Sequence, residues 1–379
     1  MGYDSAFKGR YSLKNIYRDW LKWVLKSFIE ILGYTERSIG LLHTSGRHAA
    51  HALFKDYFLE NKFEETEVVL PPPYFEDALK IIQRFLTTII TPLSSKISIT
   101  PTSENTAILD LKDSVFIYEV KNSRIPLCSF ISGFIEASLE RMLNYYKEKR
   151  KKEYFAYVIE RKCKGMNHPS CIFEIKIREQ SLDSSKALTT DIIEDPTQTS
   201  KLSGIQSSVV SWIKKRIRFD EVHQNWIIYV WNPILRIMGL NEITQGILHA
   251  TGRRAGQQAY LAYIDRSDIK LPDTFPNMMY LLKVFVQEVL VGLPEDDVEI
   301  QLLSDDKAFL ILQESPYTLG FPQGTFIPVC DVIAGELEAS LERIINKVHY
   351  NGASKVYVRE VQCKTLGDPV CKFEVMLIE

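Results

Sequence analysis

The sequence predicts an α+β protein made of two copies of one domain, each an antiparallel sheet covered by helices and closed by a cysteine-bearing β-hairpin. Three observations lead there. All six cysteines of the 379-residue chain fall into two matching sets of three. The residues around them repeat, at an offset that drifts from 206 to 202 to 200 along the chain, as small loop insertions between shared elements would produce. Helical periodicity and period-two alternation follow one another in the same order in both copies.

Each copy reads as helix, turn, helix, helix, two strands, helix and closing hairpin. Residues 16–32 carry Trp20, Trp23, Leu25 and Phe28 at helical spacing and stop at Gly33, the residue type that ends helices in a left-handed turn. Next comes a shared stretch, GYTERSIGLLHTSGR at 33–47 and GLNEITQGILHATGR at 239–253. The small residues Gly46, Ala49, Ala50 and Ala52 predict a second helix packed closely on a neighbour. After Pro71, Pro72 and Pro73 a third helix is expected over 74–90. Alternating runs at 97–100 and 107–111, around Ser103, Glu104 and Asn105, predict a hairpin, matched in copy two by 298–302 and 308–312. The segment GFIEASLER from Gly133 is answered by GELEASLER from Gly335, predicting equivalent helices after Cys128 and Cys330. In the closing hairpin, Cys171, Phe173, Ile175 and Ile177 share one strand face, as do Cys371, Phe373, Val375 and Leu377, so the last cysteine of each copy points inward. Residues 180–208 are rich in Ser, Thr and Asp without apolar periodicity. The expected domains are therefore 1–178 and 211–379, joined by a linker at 179–210.

Three cysteines per copy is the wrong number for closing disulfides within a copy, and one acidic residue recurs beside them. Copy one has Cys128, then Glu160, Cys163 and Cys171; copy two has Cys330, then Glu360, Cys363 and Cys371. Three thiolates and a carboxylate suit a tetrahedral zinc ion, which takes four ligands from Cys, His and Asp/Glu. With four protein ligands the metal has no open position, so the expected role is structural, in each of two sites. Such a site can contribute about 10 to 16 kcal/mol to folding. Cys128 and Cys330 precede helices, whose positive end is expected to lower their thiol pKa. Lys162, Lys164 and Lys364 are candidates for offsetting the negative charge. The alternative is that the cysteines are small core residues. If the glutamate is only a strand-edge charge, water takes the fourth position and a catalytic role reopens.

These residues resemble the 4-vinyl-reductase, or hydrocarbon-binding, domain family. The matching features are the Cys-x4-Gly before a helix, the Glu-x2-Cys-x7-Cys hairpin, the loop Gly367, Asp368, Pro369, and the glycine-containing region from Gly40 to Gly46. The resemblance covers both copies, about 14–177 and 216–378. It implies a zinc held by the equivalent Cys, Glu, Cys and Cys, beside a buried pocket for a small hydrophobic or aromatic molecule, as in the sensor domain of phenol-responsive activators. Copy one has Asn167, His168 and Pro169 in the loop, and His168 is an alternative ligand. The family is related in fold to TRAPP-type vesicle-tethering subunits. A scaffold or assembly protein is thus the second reading, and a reductase, suggested by the family name alone, the third.

His43 and His249 recur at one place in the repeat. Each is either a polar anchor in an apolar ligand pocket or a core histidine bonded to backbone, the second being favoured. Arg47 and Arg253 are expected in salt bridges. The apolar content of 45% and formal net charge of -2 give no pull toward nucleic acid. The basic run from Lys147 to Lys152 has no counterpart in copy two and reads as a solvated helix end. No phosphate-cradling, dinucleotide or nucleophile-elbow motif occurs, so the expectation is a non-enzyme. No apolar signal core, membrane-length run or myristoylation signal is present, since Ala6 stands where that signal needs Ser or Thr. A cytoplasmic protein follows, in a compartment that favours metal over disulfide. The two copies are expected to form an internal pseudo-dimer, with a protein partner to carry any signal.

Overall fold

The computed structural model describes residues 13–59, 71–90, 96–112, 114–117, 120–123, 125–181, 225–265, 271–287, 297–319, 321, 323–350 and 355–378. The first copy contains α1 (Leu13–Leu32), α2 (Glu36–Phe54), α3 (Phe75–Phe85), β1 (Ile97–Ser103), β2 (Thr106–Leu111), α4 (Ser129–Asn144), β3 (Lys152–Lys162) and β4 (Cys171–Ser181). The second repeats the order with α5 (Asn232–Met238), α6 (Glu242–Ala259), α7 (Phe275–Phe285), β5 (Val298–Leu302), β6 (Lys307–Leu312), α8 (Asp331–Val348), β7 (Lys355–Gln362) and β8 (Cys371–Ile378). The α+β class and both predicted hairpins are present. Gly33 and Gly239 follow their helices at φ 76° and 80°, positive values that glycine adopts without a Cβ penalty. Most of the expected linker at 179–210 lies outside the described residues; its first three residues continue β4.

Each sheet has four antiparallel strands, ordered β1-β2-β4-β3 and β5-β6-β8-β7. The last strand of each copy is therefore central, paired on both sides. In the first sheet Phe173 faces Leu109 on β2, and Ile175 faces Val158 on β3. Cys171, Phe173, Ile175 and Ile177 are buried and Lys176 is exposed, as period two requires. The chief covering helix is α4, which packs along β3 and is buried from Ser129 to Ile135.

Glycines set how closely the helices approach. A Cβ on Gly46 would overlap the Phe130 carbonyl of α4, and one on Gly133 would overlap the His43 carbonyl of α2. The second copy repeats this, Gly252 against Val332 and Gly335 against His249, and adds Gly256 against Glu336. These contacts need glycine for space, not for an unusual backbone.

Two compact units result, and neither is one continuous stretch. One comprises Leu42–Ser114 and Lys121–Val230; the other comprises Met1–Leu41, Val115–Val120 and Trp231–Glu379. In the unit of the second sheet, α1 packs on α6, Phe28 meets Trp231 edge-on at 5.2 Å, and Arg254 reaches Glu30 at 3.5 Å. In the unit of the first sheet, Tyr229 donates to Asp56 at 2.8 Å.

Glu336 departs from the apolar pattern. It is 0% exposed, neither carboxylate oxygen has a hydrogen-bond partner, and the equivalent residue of copy one is Phe134. Burial raises its pKa well above the ordinary carboxylate value.

Two predictions follow from this packing. Gly46→Ala and Gly252→Ala should each destabilise by about 1 to 3 kcal/mol in urea unfolding, because the helix carbonyls cannot yield to a methyl. For Glu336 the sign is set by its raised pKa: the neutral acid suits the interior, so stability is full below the unfolded pKa and is lost as pH rises toward the folded one. Glu336→Gln should therefore gain stability over the parent as pH rises from about 5 to about 8. A pH-independent difference would contradict this.

Candidate metal centre

The donors come from three places in each copy: the residue capping the covering helix, the end of a strand, and the start of the central strand. Cys128 is the N-cap of α4 and Cys330 that of α8. Glu160 and Cys163 are three residues apart, so an unbroken strand would turn them to opposite faces. A β-bulge removes the conflict. Pairing runs from Glu160 opposite Phe173 to Lys162 opposite Ile172, leaving Arg161 extra; in β7 it runs from Glu360 opposite Phe373 to Gln362 opposite Lys372, leaving Val361 extra. A tight turn then brings the second cysteine back. The Cys163 carbonyl accepts from Met166 N at 2.9 Å and His168 N at 3.3 Å, and the Cys363 carbonyl accepts from Leu366 N and Asp368 N at the same distances. The turn needs a left-handed residue, supplied by Asn167 at φ 66° and Gly367 at φ 103°.

The eight residues form two groups, Cys128, Glu160, Cys163, Cys171 and Cys330, Glu360, Cys363, Cys371, whose ligand atoms within each group all lie within 4.8 Å of one another. His168 belongs to neither. No sulfur pair is bonded. Cys128 Sγ lies 3.6 Å from Cys171 Sγ, Cys171 Sγ lies 4.0 Å from Cys163 Sγ, and Cys330 Sγ lies 3.6 Å from Cys371 Sγ. Three sulfurs on a tetrahedral ion at about 2.3 Å stand about 3.8 Å apart, so the spacing matches a shared cation. The carboxylates fit as well: Glu160 Oε1 and both oxygens of Glu360 are buried without a hydrogen-bond partner. These orphaned oxygens are what a metal would satisfy. Each cluster can hold a metal ion.

Electrostatics point the same way. In the ion-free cluster, hydrogen bonds from Cys128 and then Cys171 hold the Cys163 thiol down at about 2, and Cys330 and Cys371 hold Cys363 well below the usual thiol range. The other groups then resist ionisation. Burial, followed by the charge on Cys163, raises Glu160 to about 9, and burial first raises Cys128, Cys330 and Glu360. Cys171 also rises: its bond with Cys128 pulls it down, but the bond with Cys163 and burial outweigh that. Four buried acids cannot share one site as anions unless a cation neutralises them. For Cys128 and Cys330 this corrects the expectation of a lowered pKa, because burial exceeds the helix-end effect.

The surrounding donors also differ from expectation. Lys164 and Lys364 turn their ammonium groups to the carbonyls of Lys112 and Gln313 at 3.3 and 3.1 Å, and Lys162 is exposed. Instead, Lys164 N donates to Cys171 Sγ at 3.3 Å, Ser114 Oγ lies 3.4 Å from Cys128 Sγ, and Cys128 N donates to Glu160 Oε2 at 3.0 Å. In copy two Ser315 Oγ lies 3.1 Å from Cys330 Sγ, Thr365 Oγ1 lies 3.2 Å from Cys363 Sγ, and Cys363 N donates to Asp368 Oδ2 at 2.8 Å.

The structure places His43 and His249 beside carboxylates. His43 Nε2 is 3.0 Å from Glu136, and His249 Nε2 is 3.4 Å from Glu338. Arg47 bridges Glu136 and Glu140 at 3.2 and 2.7 Å; Arg253 bridges Glu338 and, at 2.7 Å, Glu342. These salt bridges match the reading of the arginines. The glutamates do something sequence reasoning missed: Glu136 and Glu140 accept from Val158 N and Ala156 N at 2.9 and 3.3 Å, and Glu338 accepts from Val358 N at 3.2 Å. They thus cap the free edge of β3 and β7. The signal was available, because these glutamates recur in the GFIEASLER and GELEASLER segments.

No protein-family model matches the chain, and no curated protein sequence matches it. Among solved structures, a trafficking protein particle complex subunit 3 from Naegleria fowleri, covalently bound to palmitic acid, is similar over 49% of this chain and 98% of that one, with 13% identity and a TM-score of 0.30. The 4-vinyl-reductase family is not matched. Among the described residues no helix is long and apolar enough to cross a membrane.

Loading a cluster with a divalent metal should release about three protons, from two thiols and the carboxyl, because only Cys163 or Cys363 is ionised beforehand. Affinity should therefore rise with pH, by up to about a thousandfold per unit near neutrality. Calorimetry in buffers of different ionisation enthalpy reads the proton count; a value near zero would mean that the groups are not the ligands.

Proposed function

We propose that this protein is non-catalytic, that each half is organised by one structural zinc ion, and that it binds a small hydrophobic or aromatic molecule. The observation that carries the zinc reading is the pair of clusters, each with three sulfurs and a glutamate whose ligand atoms lie within 4.8 Å of one another, and with at least one buried carboxylate oxygen that has no hydrogen-bond partner. Cys128, Glu160, Cys163 and Cys171 would hold one ion, and Cys330, Glu360, Cys363 and Cys371 the other. Soft thiolates with one carboxylate favour zinc over the harder magnesium or calcium. The bound ion would supply charge neutralisation and a cross-link, and four protein donors leave no place for an activated water.

The ligand reading rests on the resemblance of the Glu-x2-Cys-x7-Cys hairpin to that of hydrocarbon-binding domains. The apolar layer between sheet and helices, with Phe130, Phe134 and Phe173 in copy one, is the chemistry such a molecule would meet. Arg47, His43 and the two glutamates would then serve the frame around the ligand rather than contact it.

Elemental analysis of the purified full chain should find two zinc ions per polypeptide, and stripping them should lower the unfolding temperature by tens of degrees or abolish cooperative unfolding. A thermal-shift panel of aromatic and aliphatic molecules tests the second part. A true ligand at about 100 times its dissociation constant stabilises by about 2.7 kcal/mol. Zinc without any responding molecule would leave the metal reading standing and overturn ligand binding.

A further inference from the structure

Glu336 is a buried titratable group that neither the metal centres nor the edge-strand caps use. It is 0% exposed, and both carboxyl oxygens lack a hydrogen-bond partner among the described residues. Ser340, four residues on and so on the same side of α8, is also fully buried, with its hydroxyl unpartnered. Orphaned buried polar groups are rare, and they point to a partner that the chain does not itself supply. No side chain can come from Gly256, which lies against Glu336 Cα where copy one has Ala50. The charged groups on the other elements packed against α8 are turned elsewhere. His249 and Arg253 of α6 meet Asp331, Glu338 and Glu342, and Arg254 meets Glu30. Arg359 of β7 meets Glu374, Glu360 belongs to the metal cluster, Lys355 is exposed and Lys283 of α7 is half-buried. The first copy serves as a control within the chain: α4 brings Phe130 and Phe134 to the places where α8 brings Val332 and Glu336, all four buried. Two rings are thus exchanged for less volume and a carboxyl.

We infer that Glu336 is the polar anchor of the ligand held by the second half, and that this ligand is a small apolar molecule ending in an amine. The inference rests on the ligand reading above and names the ligand's class. A molecule ending in a hydroxyl could be held by serine or glutamine at lower cost, because burying an ionisable group without a partner is unfavourable. A basic head gains more from a carboxyl. An ammonium carries three N–H donors, enough for both carboxylate oxygens and the Ser340 hydroxyl, and charge-assisted hydrogen bonds are about twice as strong as neutral ones. Burial is the sole cause of the raised Glu336 pKa, so the free acid is neutral at pH values where a free amine is protonated. The separate partners then hold two protons between them, and the paired state holds one, whether that proton sits on nitrogen or on oxygen. Binding therefore releases one proton to solvent, and affinity rises with pH through the neutral range. The first half, with Phe134 at this place, has no such anchor.

The test titrates 2-phenylethylamine and 2-phenylethanol, which differ in the head group alone, into the full chain by calorimetry. The amine should bind at least about tenfold more tightly near neutrality. Its affinity should rise by about tenfold per pH unit between about pH 6 and 8, and buffers of different ionisation enthalpy should report one proton released. The alcohol should show neither effect. Glu336→Gln, which keeps the shape of the side chain, should remove the amine's advantage and leave the alcohol within about threefold, with circular dichroism confirming that the chain stays folded. Equal binding of the two probes, amine binding without proton release, or an amine preference that survives in Glu336→Gln would overturn the inference while sparing the ligand reading. Crystals soaked in the amine that show only water on the Glu336 oxygens would do the same. Binding by neither probe overturns the inference, and the ligand reading falls with it if the wider thermal-shift panel is also silent.

Discussion

The fold depends on bringing four acidic side chains together in a space from which water is excluded. Each cluster ties the first residue of a covering helix to the turn of the closing hairpin, and the strand that leaves this turn is the central strand of its sheet. Nothing about the sulfurs and the carboxylate alone makes that arrangement favourable. Without a cation one thiol is held down while burial makes the remaining groups resist ionisation; with one, all four could act as ligands. On the proposed zinc reading, folding of each half would be linked to the ion, much as in small metal-dependent domains, with a substantial apolar core adding to it.

The covering helix is held a second time, further along. Glu136 and Glu140 on α4, and Glu338 on α8, accept from edge-strand amides, while His43 and Arg47, or His249 and Arg253, approach those carboxylates from the neighbouring helix. A free sheet edge would otherwise offer unpaired N–H groups to another chain. The glutamates satisfy those donors and fix the height of the helix over the sheet. The glycine contacts set the spacing of the same two helices, so each cluster lies at the end of a layer whose position is determined by steric and polar contacts together.

Much of this was legible in the residues. The period of two in Cys171, Phe173, Ile175 and Ile177 gave the strand and its inward face, Gly33 gave a helix end, and the small residues near Gly46 gave a close helix crossing. The cluster could be read because duplication isolates what both copies keep. What could not be read depends on pairing. No local signal says that β4 inserts between β2 and β3, or that Arg161 and Val361 are bulged so that Glu160 and Glu360 turn toward the cysteines. The helix-end argument for Cys128 named a real effect but not the larger one, since burial is a tertiary property. Glu336 was likewise invisible, being one glutamate among several in a helix whose exposed face could not be told from its buried one.

The account turns on what holds the sulfurs at tetrahedral spacing. X-ray absorption at the zinc edge on the chain as purified tests it most directly. Three sulfur neighbours at about 2.3 Å and one oxygen at about 2.0 Å around every zinc are the predicted result. An average shell of nitrogen and oxygen, or sulfur absorption showing oxidised disulfide in place of metal-bound thiolate, would contradict it.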